Sequence, residues 1–341
     1  MAHRVFQTWD GSNGEIGQDI LANAPCAISG THDAKVVFHR DRYGFPMRTV
    51  ISRATGLVYT DPRPTEEAID DFYRSTYRRF YKSSVQPKWK HTARNARIAA
   101  QRMETIQSYA TKGAAILDIG TGSGELLHVG NRLGFEMQGI EVDQTYAQFG
   151  RQSYGVKIIN QSLNRAPLAS QSFDVATLYH VLEHFADPAG ALRKVANALK
   201  SEGIIFIEVP NVESIDTGFR QKWHAGHLFH FNCHTLPALA NACGLEVVSV
   251  NTCAGRNVVW ATLRKPRQPI SLNWQETTVG NFERTWQLLR EQADRRLLGE
   301  IPARVRRAGR KLKRNLHEWT ATVSATNRRN LVDKLTQKRV A

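Results

Sequence analysis

The hexapeptide Tyr179-His180-Val181-Leu182-Glu183-His184 sets two imidazoles and a carboxylate close together. H-x-x-E-H is the spelling of an inverted zinc-protease motif, which needs a helix to bring its ligands to one face. Here the string follows the apolar run "SFDVATL", which reads as a strand, and Asp187-Pro188 opens a new helix soon after. The protease reading fails on that context. What remains is a set of titratable groups at a strand tip. His180 is a candidate general base, and Glu183 and His184 brace the pocket edge. The alternative is a metal clasp of His180, Glu183, His184 and His227.

A second group, "KWHAGHLFHFNCH", carries His224, His227, His230 and His234 among Trp223, Phe229 and Phe231. Imidazole is the side chain whose ordinary pKa lets it take a proton near neutrality. His180 or His227 is therefore expected as base, and His230 as a substrate contact.

"LDIGTGSGELL" (Leu117–Leu127) is a glycine-rich turn, in which Gly120, Gly122 and Gly124 let the backbone bend sharply and approach a ligand. A dinucleotide fingerprint needs glycine at position 125, which is Glu125, and no Gly-Lys-Ser/Thr follows to make a P-loop. Asp118 and Glu125 flank the loop and would repel a pyrophosphate. Glu141, at the end of the next strand, can accept from both hydroxyls of a ribose. Together these groups suit a nucleoside with a cationic tail, which describes S-adenosylmethionine.

These residues need a scaffold of alternating strands and helices. "AAILDIG", "FEMQGIEVD", "GVKIIN", "SFDVATLYH" and "GIIFIEVP" read as five strands, with helices at Glu125–Leu133, Tyr146–Tyr154 and Pro188–Leu199 among them. A helix at Thr235–Ala242 leads to two closing strands joined at Ala254-Gly255. The expected fold is α/β: a Rossmann-like, doubly wound, mostly parallel seven-stranded sheet with an antiparallel last strand. In such sheets ligands lie beyond the carboxyl ends of the strands, where Tyr179 and His180 fall. Upstream, short strands (Lys35–His39, Thr49–Ser52, Leu57–Thr60) precede a helix capped by Thr65. The organisation expected is a flexible arm (1–24), an N-terminal region (25–90), the α/β domain (91–266) and a basic helical tail (267–341).

"LDIGTGSGELL", "GIEVD", "QSFDVATLYHVLEHFADP", "ALKSEGIIFIEVPN" and "GHLFHFNCHTL" resemble, in order and spacing, the class I S-adenosylmethionine-dependent methyltransferases. The branch is the one with a "VLEH" segment and "VPN" after the fifth strand. The resemblance implies S-adenosylmethionine as cofactor, with Asp118, Gly120, Gly122 and Gly124 lining its methionine and ribose. It assigns Glu141 to the ribose hydroxyls and Tyr179 to the pocket edge. Where the branch has an acid for the adenine amino group, this chain has Ser162. Members with an E-x-x-E-H segment and a later histidine hold a divalent cation; here His180 replaces the first acid, a softer set that disfavours magnesium. Members also often open with a zinc ribbon. This chain keeps "GLVYTDPRP" (Gly56–Pro64) and Cys26, with Ser29 and Arg53 near the other ligand positions. One thiolate cannot hold zinc, so the ribbon is expected to rely on packing.

The charge is unevenly placed. Residues 264–341 carry 19 Lys and Arg against 7 Asp and Glu, a net +12, while the first 263 residues carry only +3. Within the tail Ile301, Val305, Ala308, Leu312, Leu316 and Trp319 form an apolar stripe among arginines and lysines, which suits docking on an anionic membrane surface. The four cysteines are scattered, and no apolar run approaches the roughly 20 residues of a membrane span. With no apolar signal core near Met1, the cytoplasm is expected, with peripheral attachment at the inner membrane face. The activity expected is O-methylation of a saccharide or lipid-linked glycan. RNA, reached through the basic block Arg74–Arg102 and the tail, is the alternative acceptor. A non-catalytic S-adenosylmethionine-binding scaffold is the third reading.

Overall fold

The computed structural model describes residues 21–76, 87–253, 257–297, 322 and 325–340. Five strands open the chain: β1 (Leu21–Ala22), β2 (Ala34–Arg40), β3 (Pro46–Ser52), β4 (Val58–Thr60) and β5 (Arg63–Pro64). α1 (Glu66–Asp71) starts where the Thr65 hydroxyl accepts from Ala68 N–H, the expected cap. α2 (Trp89–Gln107) precedes β6 (Ala115–Ile119), α3 (Glu125–Arg132), β7 (Glu136–Ile140), α4 (Gln144–Tyr154) and β8 (Lys157–Ile159). Then come β9 (Phe173–Tyr179), α5 (Pro188–Ala198), β10 (Leu199–Pro210), α6 (Phe219–Lys222), β11 (Phe229–His230) and α7 (Thr235–Ala242). β12 (Glu246–Cys253), β13 (Val258–Arg264), α8 (Trp274–Thr278), α9 (Asn281–Leu297) and α10 (Arg328–Val340) complete the described elements.

Seven strands form one sheet in the order β12-β13-β10-β9-β6-β7-β8. β6, β7 and β8 pair in parallel, as strands linked by helical crossovers must, whereas β13 runs antiparallel to both β10 and β12. This is the Rossmann-like sheet expected from the alternation. The parallel strands are apolar on both faces: in β6, Ile116, Leu117 and Ile119 are all buried. The hairpin turn expected at Ala254-Gly255 lies outside the described residues.

The chain makes two compact units from non-consecutive stretches: residues 1–72 with 178–300, and residues 73–177 with 301–341. In the first unit a four-stranded antiparallel sheet, β11-β4-β3-β2, carries the ribbon region. Cys26 Sγ lies 3.4 Å from Thr55 Oγ1, so Thr55 rather than Arg53 faces the surviving cysteine. Arg53 instead pairs with Asp33 at 3.3 Å. Leu21 and Ala22, placed in the expected flexible arm, pair with Pro64 and Arg63. α9 is anchored through Asn281, whose side chain donates to Thr55 O at 2.8 Å and accepts from Asn232 at 3.0 Å.

The second unit holds α2, α3, α4, β6–β8 and α10. Leu331 and Val332 of α10 are fully buried, so this end of the basic tail is part of a packed unit. The apolar stripe from Ile301 to Trp319 lies outside the described residues, as do residues 1–20 of the expected arm. Among the described residues no helix is long and apolar enough to cross a membrane.

Gly56 tests the anchoring of α9. Its φ is +71°, and a Cβ there would meet Asn281 Nδ2 at 2.5 Å and the Asn281 backbone at 2.9 Å. Gly56→Ala is expected to lose about 2 kcal/mol or more in denaturant unfolding, from backbone strain and overpacking. An unchanged midpoint would detach α9 from this turn.

Candidate active site

In the second unit the glycine turn leaves β6 and enters α3. Gly120, Gly122 and Gly124 have φ of 68°, 59° and 85°, the left-handed region that other residues enter only with strain. Gly120 and Thr121 N–H donate to Ile140 O at 2.8 and 3.0 Å, stitching the turn to β7. Glu141 lies at the end of that strand, 6% exposed. Its carboxylate accepts from Gly122 N–H at 2.8 Å and Asp143 N–H at 2.9 Å. Those two bonds fix the orientation of the carboxylate. Asp118 is buried and accepts from the Thr177 hydroxyl at 2.6 Å. Burial raises its pKa, and the hydroxyls of Thr177 and Thr121 with the Arg102 charge oppose that rise.

The residues present fit S-adenosylmethionine on two observations. A Cβ built on Gly122 meets no atom within 4 Å, so the turn faces open space. The Ser162 hydroxyl is buried and has no hydrogen-bond partner among the described residues. A buried polar group left unmet costs about 1–3 kcal/mol, a demand that an adenine amino group can answer.

The histidines belong to the first unit. His180 follows β9 with φ +59°, a strained backbone for a non-glycine residue. Its N–H donates to Glu208 O at 2.7 Å, its Nε2 lies 2.8 Å from Glu208 Oε1, and its Nδ1 lies 3.6 Å from Glu183 Oε1. Desolvation by the surrounding protein would lower its pKa, but the two glutamates outweigh that and push it up to about 9. His180 is thus a cation at neutral pH. Its expected role as base is corrected: it has no free lone pair to offer, although its side chain keeps 44% exposure.

Glu183 and His184 lie in a single 3₁₀ turn, Leu182–His184. His184 Nδ1 lies 2.5 Å from Gly226 O, an acceptor only, so Nδ1 carries the proton. Its Nε2 lies 3.8 Å from Glu183 Oε1. Both Glu183 carboxylate oxygens are buried without a hydrogen bond among the described residues. His227 is half-buried, with ring centroids 4.8 Å from His184 and 4.7 Å from His224. Burial first, and then the neighbouring imidazoles, hold its pKa well below the ordinary value. It is neutral at pH 7 and able to accept a proton. One ligand atom from each of Glu183, His184 and His227 lies within 4.8 Å of the others, so the structure brings together three of the four expected metal ligands.

His230 is only 6% exposed, paired in β11 with Val58, and its ring meets Trp223 edge-on at 5.2 Å. Burial and the Lys222 charge push its pKa down to about 3. Its Nε2 is buried with no hydrogen-bond partner among the described residues. Tyr179 is buried with its ring 5.7 Å from Trp260. His234 Nδ1 lies 3.2 Å from Thr277 O. The residue that sequence reasoning missed is Glu208, 5% exposed on β10. Its signal was present: a lone acid in "IIFIEVP" must be answered by a cation or donors if that strand is buried.

Residues 89–250 match the model of a methyltransferase domain family. A ubiquinone biosynthesis O-methyltransferase of Aeromonas salmonicida is 34% identical over 113 residues, covering 31% of this chain and 48% of that protein. One of Ralstonia nicotianae is 32% identical over 112 residues, covering 31% and 47%. The chain thus spans about half the length of the curated relatives it matches. The solved plantazolicin methyltransferase in complex with SAH shares 15% identity over 59% of this chain and 95% of that one, with a TM-score of 0.48.

Gly122→Ala tests the turn. The left-handed backbone and a methyl group in the open space should weaken S-adenosylhomocysteine binding in calorimetry about tenfold or more, with only a small fall in melting temperature. Wild-type affinity in the variant would remove the turn from the site. Sheet, turn and family match agree on a methyltransferase domain over residues 89–250, with the fold of the class I S-adenosylmethionine-dependent enzymes.

Proposed function

We propose that this protein transfers a methyl group from S-adenosylmethionine to a hydroxyl oxygen, with His227 as the proton acceptor. The observation that carries the reading is the neutral, half-buried imidazole of His227 within the histidine cluster. S-adenosylmethionine supplies an electrophilic methyl group on a sulfonium. Asp118 and the turn backbone at Gly120, Gly122 and Gly124 are assigned to its methionine end, Glu141 to the ribose hydroxyls and Ser162 to the adenine amino group. An attacking hydroxyl must lose its proton, and an unprotonated imidazole takes it. Such a base is worth about 10²–10⁴-fold, while alignment of the reacting atoms supplies a larger share. His180 is assigned the opposite task, donating a hydrogen bond to the acceptor.

The acceptor class we favour is a saccharide or lipid-linked glycan. The curated relatives bring an acceptor from ubiquinone biosynthesis into the same test. With radiolabelled S-adenosylmethionine and both acceptor classes, label on glycan oxygen supports the first, and label confined to the second replaces it. With the acceptor that works, His227→Ala should lower kcat about 10²–10⁴-fold and leave S-adenosylhomocysteine affinity unchanged. An unaltered kcat would dismiss His227 as base.

The grouping of Glu183, His184 and His227 favours a second reading, in which these residues hold a divalent cation. His184 Nδ1 donates to the Gly226 carbonyl, the outer contact that orients a metal-binding imidazole, and its Nε2 is the nitrogen on the Glu183 side. Two imidazoles and one carboxylate suit zinc or iron better than magnesium. A bound cation would act as a Lewis acid on the acceptor hydroxyl. Protein dialysed against chelator should then bind zinc in calorimetry and lose that binding in Glu183→Gln. Full activity in the chelated, metal-free protein would leave His227 as base.

A further inference from the structure

α10 is not needed to build the sheet, yet it packs against α2 and against α3, the helix that the glycine turn enters. Leu331, Val332 and Thr336 are fully buried. At its first residue, the Arg328 guanidinium lies 4.0 Å over the Trp89 ring of α2. It also donates to Pro87 O at 2.8 Å and to the Thr92 hydroxyl at 3.3 Å. One turn and a half later, Asp333 Oδ1 lies 2.8 Å from His128 Nε2 and 2.9 Å from the Arg132 guanidinium, both on α3. The same helix is therefore clasped at two places.

α3 begins at Glu125, the residue after the left-handed Gly124. Glu125 is buried, its carboxylate accepting from the Ser123 hydroxyl at 2.7 and 2.9 Å and from the Tyr154 hydroxyl at 3.4 Å. Burial raises its pKa, and the field of Arg328 reaches both Glu125 and Tyr154. Ser123 thus belongs to the turn and to this buried polar group at once. Any shift of α3 along its axis would be felt at Gly122 and at the Glu141 carboxylate to which Gly122 donates.

We propose that α10 positions the cofactor site: Asp333 holds α3 through His128 and Arg132 while Arg328 fixes α10 to α2, so that the glycine turn is set for S-adenosylmethionine, and cofactor binding in turn tightens α10. The inference rests on the turn being the cofactor site. Two sites coupled through one element bias each other by the same factor, typically about 5–150-fold. A helix that only stabilised the unit would gain no more protection than the other slow-exchanging helices, which binding protects through global stability, whereas positioning adds protection of its own in α10.

The test uses the full chain with S-adenosylhomocysteine as probe. In the wild type, amide hydrogen exchange over residues 329–336 should slow when the probe is added, because local opening of α10 now competes with binding. Arg328→Ala and Asp333→Ala should each weaken binding about fivefold or more in calorimetry, with Asp333→Glu restoring part of it. Exchange in α10 that ignores the probe overturns the proposal, and needs no variant to fold. Variants that bind as the wild type does overturn it as well. If the wild type itself fails to bind the probe, the cofactor reading falls first and this proposal with it.

Discussion

A carboxylate taken out of water must be answered by donors or cations, and the chemistry of this protein is arranged around that demand. Asp118, Glu125, Glu141, Glu183 and Glu208 are all at most 6% exposed. Each is answered differently. Asp118 takes a threonine hydroxyl, Glu125 serine and tyrosine hydroxyls, and Glu141 two backbone amides. Glu208 takes an imidazolium. Both Glu183 oxygens are enclosed without a hydrogen bond among the described residues, with His180 Nδ1 3.6 Å from one of them. In the cofactor half the acids hold the turn in shape, and in the histidine half they decide which imidazole is charged.

That division explains why histidines of similar sequence context differ in character. His180 stands against two carboxylates and holds its proton. His227 is desolvated by burial and stands among other imidazoles, and both hold its pKa below the ordinary value. The strained φ of His180 fits the same picture. Its amide and ring both address Glu208, and these paired contacts offset a backbone conformation that glycine would enter freely.

Much of this was legible in the residues themselves. Strand runs such as "AAILDIG" and "SFDVATLYH" announce themselves because parallel strands are apolar on both faces, and Thr65 and Asp187-Pro188 mark helix starts by local capping. The glycine turn is equally local, since left-handed backbone selects glycine. The raised pKa of His180 was legible only in part: Glu183 stands three residues on in the same hexapeptide, but Glu208 is 28 positions away on another strand. The enclosure of His230 was hidden for a like reason: its burial comes from pairing β11 with β4. Thr55 as the residue facing Cys26, and α10 as a packed helix in a basic tail, also arise from contacts between distant stretches.

The interleaving of the two units also constrains how the chain acquires its structure. Phe229 pairs with Tyr59 in the four-stranded sheet, and Asp333 meets His128 across 205 residues. Neither unit can be completed from one continuous stretch, so the first strands must remain without their last partner while the whole α/β alternation is synthesised. Contacts of such long sequence separation pay their loop-closure entropy late and slow folding. The ribbon edge at β4, which β11 finally covers, is therefore the surface most open to mispairing in a nascent chain, and the one a chaperone would be expected to guard.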